Sequence, residues 1–220
     1  MKNFTIKHIF NPSDILSYNY SKVLNSIAKN QINIVKLDII IGGFPVVNKN
    51  LKFTEYDEDI IKKYNLNFES IQRKQQENLV MNNDNFIFAT AMCIFKERFP
   101  EKAVEFSLQL HKINLSKKDK IKSICSHAQI LGYNETEFKN KLSEKKYKLQ
   151  ANYEFETINN KIVINSYPVT IIELEGRLQV MFSGYICINR LKQIYEEPDK
   201  KKLFYSLKND IFIGDLIQKK

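Results

Sequence analysis

Tryptophan is absent from the 220 residues, and glycine, proline and cysteine number only 6, 5 and 3. So few glycines and prolines exclude collagen-like, Pro-rich and flexible-linker architectures. The cysteines, Cys93, Cys125 and Cys187, are odd in number, far apart and form no CxxC pair. Neither a disulfide framework nor a zinc site is expected, and each thiol, set among apolar neighbours, reads as a small buried hydrophobe. No run approaches the roughly 18 apolar residues that span a bilayer, so no membrane partner is expected. The opening MKNFTIKHIFNPSD has no continuous apolar stretch of the secretory kind, which leads us to expect a cytoplasmic protein. A glycine-rich phosphate loop is also missing, and His8, His111 and His127 show no metal-like or triad spacing.

What is present is a globular composition. Hydrophobic residues make up 43% and charged residues 27%, with 15 Phe and 11 Tyr to fill a core. The length suits one domain, or one core carrying an insertion. The formal net charge is +9, and the excess is local: between 112 and 150 ten lysines stand against four acids. These lysines fall on the polar positions of expected helices and are not interleaved with exposed aromatics. They read as a solvated face, so nucleic acid is not the expected partner.

Along the chain, Phe4 to Phe10 alternates loosely and predicts a strand. Leu16, Tyr20, Val23, Leu24 and Ile27 give helical spacing over 14–29. INIVKLDIII, 32–41, predicts a buried strand that Gly42, Gly43 and Pro45 stop. A long stretch without strand signals follows. NFIFATAMCIF predicts a buried helix over 83–97, and Pro100 opens the next, through about His111. Ser116 with Asp119 resembles an N-cap, followed by Ile121, Ile124, Cys125, Ala128 and Leu131 on one face and Gly132 past the end. Asn134 with Glu137 opens another helix, and one more runs over 143–159. Strand signals return after Pro168: VTIIEL, then Glu175-Gly176, then RLQVMFSGY read as a hairpin. A last amphipathic helix is expected over 186–197, and the apolar tail 198–220 has no assignment.

The order β-α-β, about 100 residues of helix, then β-β-α, implies an α/β thioredoxin-like fold (βαβ + ββα) with a large inserted all-helical domain. The expected division is 1–50 with 160–197 as the discontinuous thioredoxin-like domain, 51–159 as the insertion, and 198–220 as a tail.

Within that order, Asn11-Pro12-Ser13-Asp14-Ile15-Leu16-Ser17-Tyr18 joins the first strand to its helix, and Gly42-Gly43 ends the second strand. LGYNETEF lies at a helix junction, Ser166-Tyr167-Pro168-Val169-Thr170 leads into the third strand, and LEGRLQVMFSGY forms the hairpin. In order and spacing, over residues 4 to 196, these segments resemble the DsbA family of thioredoxin-fold proteins. The likeness is to its cytoplasmic branch of protein-disulfide isomerases in particular. That branch carries D-P-x-C-x-W-C-Y at the first segment, so Asp14 and Ser17 stand where the resemblance puts the two cysteines.

Thiol-disulfide exchange needs an attacking thiolate and a resolving thiol, and neither Asp nor Ser supplies one. The resemblance therefore implies a degenerate, redox-inactive active site. Asp14 is a good N-cap, and its charge suits the positive end of the helix, so it reads as a cap rather than a general base. Ser17 reads as a first-turn residue bonded locally. The resemblance also implies a cis-Pro168, beside which Asp14, Tyr18, Tyr167 and Pro168 form a groove for an extended peptide or protein partner, with no cofactor. A shifted register gives the alternative. It resembles the D-x-x-S-P-Y-S motif of kappa-class glutathione transferases and 2-hydroxychromene-2-carboxylate isomerases. In that register Ser17 is catalytic and glutathione the cofactor, though Tyr18 replaces the motif's proline.

Overall fold

A computed structural model describes residues 4–31, 36–42, 84–114, 119–161, 164, 167–174 and 178–183. Strand β1 (Phe4–Phe10) leads into helix α1 (Ile15–Gln31) and strand β2 (Lys36–Ile41). The described residues continue with α2 (Asp84–Arg98), a 3-10 turn at Pro100–Lys102, α3 (Ala103–Asn114), α4 (Lys120–Ile130), α5 (Glu135–Ser143) and α6 (Lys145–Lys161). Strands β3 (Val169–Leu174) and β4 (Leu178–Ser183) complete the described chain. The expected strand residues 32–35, Gly43, Pro45, Ser116, the Glu175-Gly176 turn, the helix over 186–197, Cys187 and the 198–220 tail lie outside the described residues.

The sheet order is β2-β1-β3-β4. β1 runs parallel to β2, with Phe10 beside Ile41, and antiparallel to β3, with His8 beside Thr170. β3 and β4 are antiparallel neighbours. Alternation along the strands gives the sheet two buried faces. Ile6, Phe10, Ile39, Ile41 and Ile172 join one cluster with Tyr20, Leu24 and buried aromatic residues of α2, α3, α5 and α6. Ile9, Val169, Ile171 and Tyr167 form a second cluster with Ile158. The helical layer thus shares its core with the sheet, with α1 packed on α3, and α2 on α3, α6 and β2.

Local rules explain the helix ends. Asn134 caps α5, its side chain accepting from the Glu137 N–H at 2.9 Å. Gly132 follows α4 with φ +104°, the left-handed conformation that glycine adopts without strain. Two sequence expectations need correction. The cap of α4 is Asp119, which accepts from the Lys122 N–H at 3.2 Å, so the helix starts at Lys120 rather than after Ser116. Ile121, in its first turn, is 46% exposed, and the buried stripe begins only at Ile124. No helix among the described residues is long and apolar enough to cross a membrane.

Candidate functional site

The turn after β1 is closed by hydrogen bonds that its own short polar residues supply. Asn11 Oδ1 accepts from the Ser13 N–H at 2.9 Å, which turns the chain out of the strand. The Asp14 N–H then donates to the Asn11 carbonyl at 3.0 Å. Asp14 Oδ2 accepts from the Ser17 N–H at 2.6 Å, and its carbonyl accepts from the Tyr18 N–H at 3.1 Å. Asp14 is therefore the N-cap of α1, half-buried, its carboxylate satisfying one of the free N–H groups of the helix start. Ser17 Oγ accepts from the Asn11 N–H at 3.4 Å and the residue is fully buried.

Among the described side chains of α1, the buried ones are Ser17, Tyr20, Ser21 and Leu24. Of the expected apolar stripe, Tyr20 and Leu24 are buried and Val23 packs against the core, the side chains of Leu16 and Ile27 lie outside the described ones, and two serines are buried beside them. Ser21 Oγ lies 3.4 Å from His8 Nε2 and 3.3 Å from His111 Nε2. His111 Nδ1 is 3.0 Å from the Pro12 carbonyl oxygen, so an α3 residue grips the turn from beneath. Both imidazoles are fully buried, and burial lowers each pKa to about 3; the neighbouring His111 adds to the effect on His8. Ring packing completes the surroundings: His8 stacks on Tyr20 at 4.5 Å, and His111 touches Phe10 at 4.9 Å and Tyr18 at 5.6 Å. Tyr20 Oη and Thr170 Oγ1 are 2.7 Å apart, which ties α1 to the start of β3. Asn114 Nδ2 donates to Ser13 Oγ at 3.0 Å, and Asn85 Nδ2 to Asn11 Oδ1 at 3.4 Å.

Of the residues expected to form a groove, Asp14 lies near enough to Tyr167 for its charge to act on the hydroxyl, and the four differ in access. Tyr18 is half-buried, with the Lys22 ammonium 4.2 Å from its ring centre. The Tyr167–Pro168 peptide is cis and Pro168 is buried. Tyr167 is 7% exposed, and its ring lies across Gly42, where an added Cβ would overlap the hydroxyl. Glycine is required there by this close approach. The Tyr167 hydroxyl is raised above its ordinary pKa by burial and then by the charge of Asp14. Asp14 and Tyr18 are thus the more accessible pair, while Tyr167 and Pro168 are buried.

No group of three or more metal-ligating side chains occurs among the described residues. Cys93 and Cys125 are buried free thiols, and burial followed by the Glu154 charge pushes Cys93 up to about 12. Ser17, the catalytic residue of the alternative reading, presents no surface to a ligand where it stands. Sequence reasoning missed His8, Ser21, Asn85, His111 and Thr170. One signal was available for His8, which alternates with Ile6 and Phe10 on the inward face of β1.

No protein-family model matches the chain, and no curated protein sequence matches it. Solved structures do. A protein-disulfide-isomerase candidate from Nitrosomonas europaea superposes with a TM-score of 0.62 at 14% identity, covering 88% of this chain and 98% of its own. A 2-hydroxychromene-2-carboxylate isomerase gives 0.54 at 13% identity, covering 94% and 100%. The cytosolic disulfide reductase DsbM from Pseudomonas aeruginosa, in its structure with GSH, gives 0.52 at 13% identity, covering 93% and 98%. At such identities the likeness fixes the fold alone: a DsbA-like thioredoxin fold with a helical insertion.

Proposed function

We propose that this chain is a redox-inactive protein of DsbA-like thioredoxin fold that binds an extended peptide or protein partner beside Asp14 and Tyr18. One observation carries the reading: at the helix start, Asp14 holds the Ser17 N–H at 2.6 Å. A carboxylate there keeps the anionic helix start and provides no sulfur to attack a disulfide, and the buried Ser17 provides none to resolve one. The binding role is supported by the accessible side of the start of α1. Asp14, Tyr18 and Lys22 recur every four residues, so an anion, an aromatic ring and a cation share one stripe, and the charge of Asp14 reaches the Tyr167 hydroxyl.

Reduction of insulin by dithiothreitol tests the chemistry. Wild-type protein should leave the rate at background, and the double variant Asp14→Cys/Ser17→Cys should raise it. The two positions are three apart at a helix start, within disulfide reach. Acceleration by the wild type would overturn the reading. For the binding role, peptides selected on the wild type should lose retention on Tyr18→Ala; equal retention would count against this stripe.

A second reading, a glutathione-dependent transferase or isomerase, is favoured only by the fold it shares with the isomerase and DsbM structures. It requires Ser17 Oγ to reach a thiol, whereas that oxygen is buried and accepts from Asn11. Glutathione-agarose should not retain the chain. Retention abolished by Ser17→Ala would establish the alternative.

A further inference from the structure

His8, Ser21 and His111 form a chain of buried groups beneath the turn whose proton positions are set by one fixed acceptor. A carbonyl oxygen can only accept, so at 3.0 Å from Pro12 O the His111 Nδ1 must carry a hydrogen. In a neutral imidazole Nε2 is then the acceptor, and Ser21 Oγ, 3.3 Å away, must donate to it. With its single hydrogen committed, Ser21 accepts from His8 Nε2 at 3.4 Å. His8 Nδ1 is left bare, and it is indeed a buried atom with no hydrogen-bond partner. The Pro12 carbonyl thereby sets two opposite tautomers, Nδ1–H on His111 and Nε2–H on His8.

The chain has no place for another proton. On His111 Nε2 it would turn a second N–H onto Ser21 and strand the hydroxyl hydrogen. On His8 Nδ1 it would bury a charged donor with nothing to accept it. We propose that His8, Ser21 and His111 are a pH-sensitive latch on the 11–18 turn. In the neutral state His111 clamps the Pro12 carbonyl and braces the Tyr18 ring; acidification favours the open turn, in which His111 leaves both contacts, is hydrated and takes up a proton. The role of this release in partner binding rests on the reading of the turn as a binding surface, but its test needs no ligand.

Among the described residues, the groups facing the latch are few. His111 meets Phe10 from β1, Tyr18 and Ser21 from α1, and the Pro12 carbonyl from the turn. His8 meets Phe10, Tyr20 and Ser21, and feels the charge of His111. No carboxylate among the described residues offsets a charge on either ring. Burial holds both groups at about 3, below the 6.5 of a hydrated imidazole. Between these values the open turn binds a proton that the closed turn does not. Closure is therefore complete above the hydrated value and weakens as pH falls, about tenfold per pH unit for one imidazole.

Amide hydrogen exchange of Ser17 and Tyr18, read by NMR between about pH 4.5 and 6.5, tests the latch, because Asp14 holds both N–H groups. Their protection, corrected for intrinsic exchange, should fall about tenfold per pH unit on acidification. The Phe138 amide, bonded to the Asn134 carbonyl at 2.9 Å in α5, should stay flat. In His111→Asn, whose side-chain amide can still donate to Pro12 without titrating, the slope should vanish. His8→Gln keeps a donor for Ser21 and leaves His111 in place, so the slope should persist there even if His111→Asn does not fold. It should persist also in Asp14→Asn, which removes the carboxyl of the turn. Imidazole nitrogen shifts at neutral pH should show the two opposite tautomers. Flat protection at Ser17 and Tyr18, an equal slope at Phe138, a slope surviving in His111→Asn, or other tautomers would each overturn the latch. None of these outcomes touches the insulin or peptide results.

Discussion

Buried polar side chains behave differently in the helical layer and beneath the turn. In the helices, Thr90 and Ser107 return their hydroxyls to their own backbone, to Phe86 O at 2.8 Å and Val104 O at 2.6 Å. Beneath the turn, His8, Asn11, Ser17, Ser21, Asn85, His111 and Thr170 are buried too, and all but Ser17 bond to another element of the fold. The first arrangement satisfies a group at no structural consequence. The second fixes the position of one element against another, and an unpaired atom such as His8 Nδ1 is tolerated within it. The difference indicates that apolar contact holds the helical layer together, while polar geometry holds the turn.

The sharpest way to break that comparison is in the helical layer. Phe95 stacks on Phe106 at 4.1 Å, and Phe106 meets Phe138 edge-on at 6.0 Å, all three fully buried. Phe106→Ala should cost about 3–5 kcal/mol through lost burial and the cavity left behind. The urea midpoint should drop accordingly, with the slope unchanged. A cost below about 1 kcal/mol would mean that these rings are not the main support of the layer.

A smaller effect is expected where the second face of the sheet meets the turn. Gly42→Ala puts a methyl group into the Tyr167 hydroxyl, and the buried ring must move. Overpacking of this kind costs about 1–3 kcal/mol. Tyr167→Ala costs stability by itself but removes the obstacle, so in the double variant the Gly42→Ala penalty should largely disappear. Strict additivity in this cycle would show that the two residues do not press on each other.

The two regions also differ in how far their sequence could be read. The helical layer is written in local signals. Asn134 with Glu137, Gly132 after Leu131, and Pro100 before α3 each act within a few residues, and each stands at the end of a helix. The turn is legible to the same extent: Asn11 and Asp14 are short polar residues that close it over neighbouring N–H groups. The layer under it is not legible, because His111 reaches Pro12 across 99 positions and Tyr20 reaches Thr170 across 150. Nothing in a one-dimensional pattern marks Ser17 and Ser21 as inward residues of α1, since periodicity tracks apolar side chains and treats a serine as surface. Ile121 fails in the opposite direction: its spacing is right, but the packing interface of α4 starts one turn later.

The smallest expected effect compares a like part in each region. Asp14 and Asn134 are both N-caps, accepting from the third residue of their helices at 2.6 and 2.9 Å. As caps alone they are equivalent, and replacing either by Ala should cost about 1 kcal/mol. Asp14→Asn keeps an acceptor and should lose only a few tenths of that through the helix dipole. The regions differ in how far the loss of a cap spreads. Asn134 is itself exposed and, among the described residues, its side chain holds the Glu137 N–H alone, so Asn134→Ala should raise amide exchange only at residues 135–138. Asp14 shares its turn with Asn11, Ser13 and Ser17, and His111 and Asn114 hold that turn from α3. Asp14→Ala should therefore raise exchange at Ser13 as well as at Ser17 and Tyr18. If exchange rises only at Ser17, the turn is held by α3 rather than by its own cap.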